Sequence, residues 1–231
     1  MSIVISGATG GIGTEVSKLF ASKGQDLILL GQSMSSLKAL NKSLDESNNA
    51  RVNLLCCDIH DREEVNSCIK EINEVSENVS LLINIAGIFP SGPLLEEKES
   101  VFDKCMDVNL RLPYLLSIGL FDSLKKKGGG KIINIGSSSA YSGFKNTVTY
   151  CTSKHALLGF SRALHDEWKD YGISVHCISP GSVNTGMSHE LSQDKTTYIE
   201  AEQFAELIYD VSRYNGNMVI EEVRAARRIV R

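Results

Sequence analysis

The chain has 231 residues, 42% hydrophobic and 23% charged, which suits one domain or at most two with a sizeable core. A net charge of −4 with no basic stripe argues against a nucleic-acid binder, no run approaches the roughly 18 apolar residues of a membrane span, and the N-terminus lacks a signal-peptide pattern. The six cysteines (Cys56, Cys57, Cys68, Cys105, Cys151, Cys177) show no metal-ligand spacing; they read as small core residues of a reducing, cytoplasmic compartment, and no metal site is expected.

Short apolar runs alternate with helical patterns along the chain. Strands are predicted over 2–6, 26–31, 52–57 and 80–84, separated by helices over 11–23, 34–47 and 61–75. Long helices over 99–127 and 149–170 flank a strand at 131–135, and a strand over 173–178 follows. A shorter helix over 200–212 leads to a last strand near 218–223, read as a closing edge strand, and the tail from Arg224 to Arg231 reads as a solvated end, with binding of an anion or a partner subunit by its four arginines as the alternative. Leu27 to Leu30 and Leu81 to Ile83 are apolar without alternation, as strands covered on both faces should be. The pattern predicts a single α/β domain over residues 1–231, a doubly wound, mainly parallel seven-stranded sheet with helices on both faces, that is, a Rossmann fold.

The first strand ends in Ser6-Gly7-Ala8-Thr9-Gly10-Gly11-Ile12-Gly13 and runs directly into a helix. Glycines let the backbone turn tightly and approach a pyrophosphate, whose charge the amides of a helix N-terminus can meet. Gly7, Gly11 and Gly13 give Gly-x-x-x-Gly-x-Gly rather than the generic dinucleotide fingerprint, and Gly10 adds Gly-x-x-Gly-x-x-Gly. Further on, Tyr150 and Lys154 stand four apart at the head of a helix, one turn apart on one face. A free phenol titrates near pKa ~10, and a neighbouring ammonium favours the phenolate, so the pair could be an acid/base device.

Together these motifs resemble the classical short-chain dehydrogenases/reductases over nearly the whole chain. Asn84-Ile85-Ala86-Gly87 is similar to the Asn-Asn-Ala-Gly after their fourth strand, departing at Ile85, and Pro180-Gly181-Ser182-Val183-Asn184-Thr185 resembles their Pro-Gly-x-Val-x-Thr. Asn109, Ser137, Tyr150 and Lys154 correspond to the family's catalytic tetrad. The resemblance implies an NAD(P)-dependent oxidoreductase interconverting a carbonyl and a secondary alcohol. Tyr150 would exchange the proton with the substrate oxygen and Ser137 would hydrogen-bond it. Lys154 would lower the Tyr150 pKa and hold the nicotinamide ribose, and Asn109 would hold a water linking Lys154 to solvent. Ser138 is the alternative to Ser137, whereas Ser139 reads as a loop support. Gly7, Thr9, Gly11, Ile12, Gly13, Asn84, Ala86, Gly87, Pro180, Gly181, Val183 and Thr185 would line the dinucleotide, with Asp58 on the adenine. A homodimer or homotetramer built on the long helices is likewise implied.

Cofactor choice rests on Gln32 and Ser33, at the end of the second strand. An acidic residue there would bind the ribose 2'-hydroxyl of NAD, and an arginine would accept the 2'-phosphate of NADP. This chain offers neither. With no carboxylate to repel a phosphate, NADP is favoured over NAD; Lys38 reads as a solvated helix residue. The substrate is a small carbonyl or alcohol compound of unspecified identity. Its cleft is expected from segments 89–95, 140–148 and 187–197, with Phe89, Tyr141, Phe144 and Met187 giving apolar walls and Asn146 and His189 polar ones. The glycine-rich ending of carrier-linked acyl reductases is missing, which counts against that substrate. A non-catalytic dinucleotide-binding regulator is the alternative function, disfavoured because Ser137, Tyr150 and Lys154 are all present. A sugar-nucleotide epimerase or dehydratase would need a longer C-terminal region.

Overall fold

The computed structural model describes residues 1–44, 50–187 and 196–228. Seven strands form one sheet in the order β3-β2-β1-β4-β5-β6-β7. They are β1 (Ser2–Ser6), β2 (Asp26–Gly31), β3 (Val52–Cys56), β4 (Val79–Asn84), β5 (Lys131–Ile135), β6 (Ser174–Pro180) and β7 (Glu222–Ala225). Every pairing is parallel. The order reverses direction between β1 and β4, where the connections leave for opposite faces and open a crevice beyond the carboxyl ends.

Each face carries its own helices because successive strand residues point to opposite sides. Ile3 and Ile5 of β1 pack with Phe20 of α1 (Gly11–Ser22), Leu37 of α2 (Met34–Lys42) and Phe204 of α8 (Ala201–Arg213). Val4, between them, faces Ile69 and Ile72 of α3 (Arg62–Val75) and Leu164 and Trp168 of α7 (Val148–Trp168). Phe20 and Phe204 are 1% exposed, each burial contributing about 1.5–3 kcal/mol.

Three sequence-based boundaries change. The predicted helix over 99–127 is broken into α4 (Glu99–Met106), a π-helical turn (Asp107–Arg111), α5 (Leu112–Gly119) and α6 (Phe121–Lys125). Pro113 accounts for the π-turn, since it has no N–H and its ring pushes against the carbonyl of Asn109, so the backbone widens there, whereas the break between α5 and α6 falls at Leu120, with φ −106° and ψ 6°. Helix α2 stops at Lys42, where the Ser43 hydroxyl bonds the Leu40 carbonyl; the remainder of that expected helix falls partly on residues 45–49, outside the described residues. The last strand is Glu222–Ala225 rather than 218–223. Its register pairs Cys177 with Glu222 and Pro180 with Ala225, so Met218 and Val219 stay exposed outside it.

Candidate active site

The glycine turn is packed too tightly for side chains. Gly7 has φ +69°, and a Cβ there would lie 2.6 Å from the Ala86 nitrogen, so β1 and the loop after β4 touch through this glycine. A Cβ on Gly13 would fall 2.1 Å from the Gly7 carbonyl oxygen, and one on Gly11 would fall 2.6 Å from Thr185 Cγ2. The loops after β1, β4 and β6 therefore meet at one place. Gly10 occupies the N-cap of α1 and supplies no side-chain cap, which leaves the first-turn amides able to bind an anion. This cradle fits a dinucleotide pyrophosphate. Thr9 lies against Gly31 at the end of β2, and Ile12 faces the cavity described below.

Among the catalytic candidates, the π-turn aims Asn109 inward, and it is fully buried. Its Oδ1 accepts from the Ile88 amide at 2.8 Å, and its Nδ2 donates to the Ile88 carbonyl at 3.0 Å and to Ser153 Oγ at 2.9 Å. The Ser153 hydroxyl in turn donates to the Tyr150 carbonyl at 2.7 Å. The side chain of Asn109 thus ties the loop after β4 to α7. Gly87 completes this contact, since a Cβ on it would lie 3.3 Å from Asn109 Oδ1 and 3.7 Å from Lys154 Nζ.

Tyr150 sits in the first turn of α7, 9% exposed, with Phe89 edge-on at 4.6 Å between ring centroids. Burial pushes its phenol up to about 12, opposed by a hydrogen bond with Ser137. Ser137 follows β5 and caps a short turn by accepting from the Ser139 amide at 3.1 Å. Of the three serines it is Ser137 whose side chain acts on the phenol, and it lowers the pKa. Lys154 is 5% exposed; its Nζ donates to the Ile135 carbonyl at 2.8 Å, and burial pulls its pKa down to about 8. Its Nζ lies 5.9 Å from the centroid of the Tyr150 ring. Burial is the leading cause of both shifts, and it raises the Tyr150 phenol, opposite in direction to the effect expected of Lys154.

Other candidates divide into cavity walls and supports. Pro180, Gly181, Val183 and Thr185 line the cavity, and the Val183 segment is fixed by a bridge to Ile199. Asn84 is buried at the end of β4 and donates to Asn134 Oδ1 at 2.8 Å; Asn134 donates to Ser161 Oγ at 2.9 Å. That chain braces β4, β5 and α7, whereas the Asn84 Oδ1 is buried without a hydrogen-bond partner. Asp58 is exposed after β3, its carboxylate accepting the His60 amide at 2.9 Å. Gln32 is exposed, and Ser33 caps α2 by accepting from the Ser36 amide at 3.3 Å.

These walls enclose a cavity of about 620 Å³, within the usual range for small-molecule sites. Ser137, Tyr150 and Lys154 share it with Phe89, Phe144 and Met187. Tyr141 instead donates to Glu222 Oε2 at 2.8 Å, Asn146 is exposed with φ 64°, and His189 lies outside the described residues. Ser179 and Ala225 carried no signal of their own in the sequence, and Arg224 and Arg227, from the tail read first as a solvated end, stand with them in the cavity wall. The tail is thus not simply a solvated end. The signal was available in position alone: these residues stand beyond the carboxyl end of the last strand, as ligand-binding residues of such sheets do. Among the described residues no cluster of His, Cys, Asp or Glu could hold a metal ion, and no helix is long and apolar enough to cross a membrane.

The model of the family described as short chain dehydrogenase matches residues 1–196. A 3-oxoacyl-(acyl-carrier-protein) reductase of Rickettsia typhi is 30% identical over 82% of this chain and 76% of that protein. An uncharacterized oxidoreductase of Thermotoga maritima is 34% identical over 79% of this chain and 72% of its own length. Among solved structures, a blue fluorescent protein from a metagenomic library, in complex with NADPH, superposes with a TM-score of 0.87 at 27% identity, covering 97% of this chain and 95% of that one. With the parallel sheet, the glycine cradle and the convergence of Ser137, Tyr150 and Lys154, these likenesses place the chain in the short-chain dehydrogenase/reductase family of NAD(P)-dependent oxidoreductases.

Proposed function

We propose that the protein, as a single domain over residues 1–231, interconverts a carbonyl and a secondary alcohol, with Tyr150 as general acid and base. The observation that carries this reading is the placement of Ser137, Tyr150 and Lys154 in one cavity walled by the loops of the dinucleotide cradle. The nicotinamide cofactor, when bound, supplies or takes up the hydride. Gly7, Thr9, Gly11, Ile12 and Gly13 would meet its pyrophosphate, Ala86 and Gly87 the adjoining ribose, and Val183 and Thr185 the carboxamide end.

The chain's own residues handle the proton. Tyr150, whose phenol burial pushes up to about 12, gives its proton to a carbonyl oxygen in reduction and takes it back in oxidation. Ser137 donates a hydrogen bond to the same oxygen and stabilises the charge that develops on it. Lys154, with a pKa of about 8, exchanges protons readily near neutral pH and is suited to recharge the phenol. Asn109 acts through the loop it clamps, holding Gly87 and Ile88 against α7.

NADP is the favoured cofactor. Gln32 presents no carboxylate against a 2'-phosphate, and the 27% identical blue fluorescent protein carries NADPH. A small carbonyl substrate, a cytoplasmic location and a homodimer or homotetramer belong to the same reading. The test is reduction of a panel of ketones and aldehydes, followed by loss of nicotinamide absorbance. Turnover with NADPH that Tyr150→Phe abolishes supports the reading. Cofactor binding without turnover across the panel, unaltered by that substitution, replaces it with a non-catalytic dinucleotide-binding role.

A further inference from the structure

The cavity holds more positive charge than proton transfer requires. Arg224 and Arg227 line it together with Lys145 and Lys154, and its described lining residues include no aspartate or glutamate. This occurs in a chain whose net charge is −4. Lys154 is buried beside Tyr150, whereas Lys145, Arg224 and Arg227 are exposed at the mouth.

Both arginines are held in place. Arg224 pairs with Ser179 in the register of β6 and β7, and its guanidinium stacks 4.2 Å from the centroid of the Tyr141 ring. The Tyr141 hydroxyl is fixed by Glu222, whose carboxylate is engaged first by Arg162 and only more weakly by the charge of Arg224. Arg227 stands 5.3 Å from the Tyr198 ring, and its Cγ packs against Gly181, where a Cβ would come within 3.3 Å. A guanidinium that packs on a ring can still offer N–H donors to a ligand. Position then sets a distance. Gly136, next to Ser137, abuts Ser179, and Ser179 is paired with Arg224. Two interstrand steps of about 4.8 Å put the backbone of Arg224 on the order of 10 Å from that of Gly136, so its guanidinium stands apart from the Ser137 end of the cavity.

We propose that the preferred substrate carries an anionic group, carboxylate or phosphate, at the end remote from its carbonyl, and that Arg224 and Arg227, with Lys145, form the subsite for it. The proposal rests on the oxidoreductase reading above and names the substrate class for that site. A neutral carbonyl compound of the same length lacks the group this mouth is built to hold.

The experiment uses the full chain with NADPH and three ketones of matched shape: 3-(4-acetylphenyl)propanoate, its methyl ester, and 2-(4-acetylphenyl)ethyl phosphate. The ratio of kcat/KM between acid and ester is expected to exceed about tenfold, and to fall by about tenfold in Arg224→Gln and in Arg227→Gln, the loss expected for one charge-assisted hydrogen bond. Arg224→Lys should recover part of the ratio, which a folding defect would not permit. A phosphate compound preferred over the carboxylate, with the same dependence on both arginines, identifies the anion as phosphate. A ratio near one, or a ratio unchanged in both glutamine variants, overturns the proposal. Calorimetric titration of the acid and the ester into NADPH-loaded protein separates the two readings. If neither ketone is reduced but the acid binds more tightly than the ester and Arg227→Gln removes the difference, the anion subsite stands and the redox reading falls. If the acid binds no better than the ester, the subsite falls whatever the turnover.

Discussion

Asn109→Ala provides a sharp test of what the π-turn is for. Asn109 is fully buried and gives the Ile88 amide and carbonyl their partners at 2.8 and 3.0 Å, and it also bonds Ser153. Alanine removes all of these bonds and leaves backbone groups of Ile88 without them. Each orphaned polar group costs about 1–3 kcal/mol. Partial access of water near Ile88 reduces the sum, so the expected loss is about 2–4 kcal/mol. With a urea m-value of about 2–3 kcal/mol/M for a chain of this size, the midpoint should fall by roughly 1 M. Wild type and variant are unfolded at equal protein concentration, because any subunit association would otherwise shift the midpoints. The variant should also lose turnover, as Gly87 packs on Asn109 and lies near Lys154. A midpoint within about 0.2 M of wild type, accompanied by lost activity, would refute the clamp and return Asn109 to a purely proton-relay role.

Lys154→Met should abolish turnover yet stabilise the fold at pH 7 by about 1–2 kcal/mol, because it removes a buried charge while giving up the bond to Ile135. The folded pKa of Lys154 is pushed down to about 8, below the unfolded value of about 10.4. The unfolded chain thus binds more protons between those values, and this contribution to stability rises with pH across that window. Urea unfolding at pH 7 and 9.5 should show wild type closing the gap on the variant; a constant gap contradicts the burial argument. Tyr150→Phe should lower kcat by about 10²–10⁴-fold, the scale of general acid catalysis, with NADPH affinity retained by fluorescence titration. Gln32→Asp should lower the NADPH/NADH ratio of kcat/KM by about tenfold or more, since a carboxylate repels a 2'-phosphate; an unchanged ratio removes Gln32 from the cofactor site.

Where local pattern and global fold agree, the chain was readable. Buried parallel strands such as Leu27 to Leu30 carry their identity in composition, and the glycine turn encodes a close backbone approach that no other residue allows. The break at Pro113 was written in the sequence too, but the apolar periodicity around it masked the lost N–H. The last strand was displaced because Met218, Val219 and Ile220 look like a strand, while the residues that pair, Glu222 to Ala225, form a half-exposed edge without alternation. Residue identity singled out Ser137, Tyr150 and Lys154, which line one cavity, yet the direction of the Tyr150 and Lys154 pKa shifts could not be inferred from spacing, because it depends on how deeply both side chains are buried. Asn84 and Asn109 illustrate the same limit. Their partners Asn134, Ser161 and Ser153 are distant in sequence, so a bracing role emerges only in three dimensions.

The most direct test of the central claim follows the hydride itself. Wild type and Tyr150→Phe are incubated with 3-(4-acetylphenyl)propanoate and NADPH carrying deuterium at C4, prepared separately on each face, and the alcohol is analysed by mass spectrometry. One deuterium is expected at the carbinol carbon per turnover, from one face only, with labelled alcohol formed by Tyr150→Phe about 10²–10⁴-fold more slowly than by wild type. Labelled alcohol formed equally by both proteins, or alcohol formed by wild type without deuterium from either face, contradicts it.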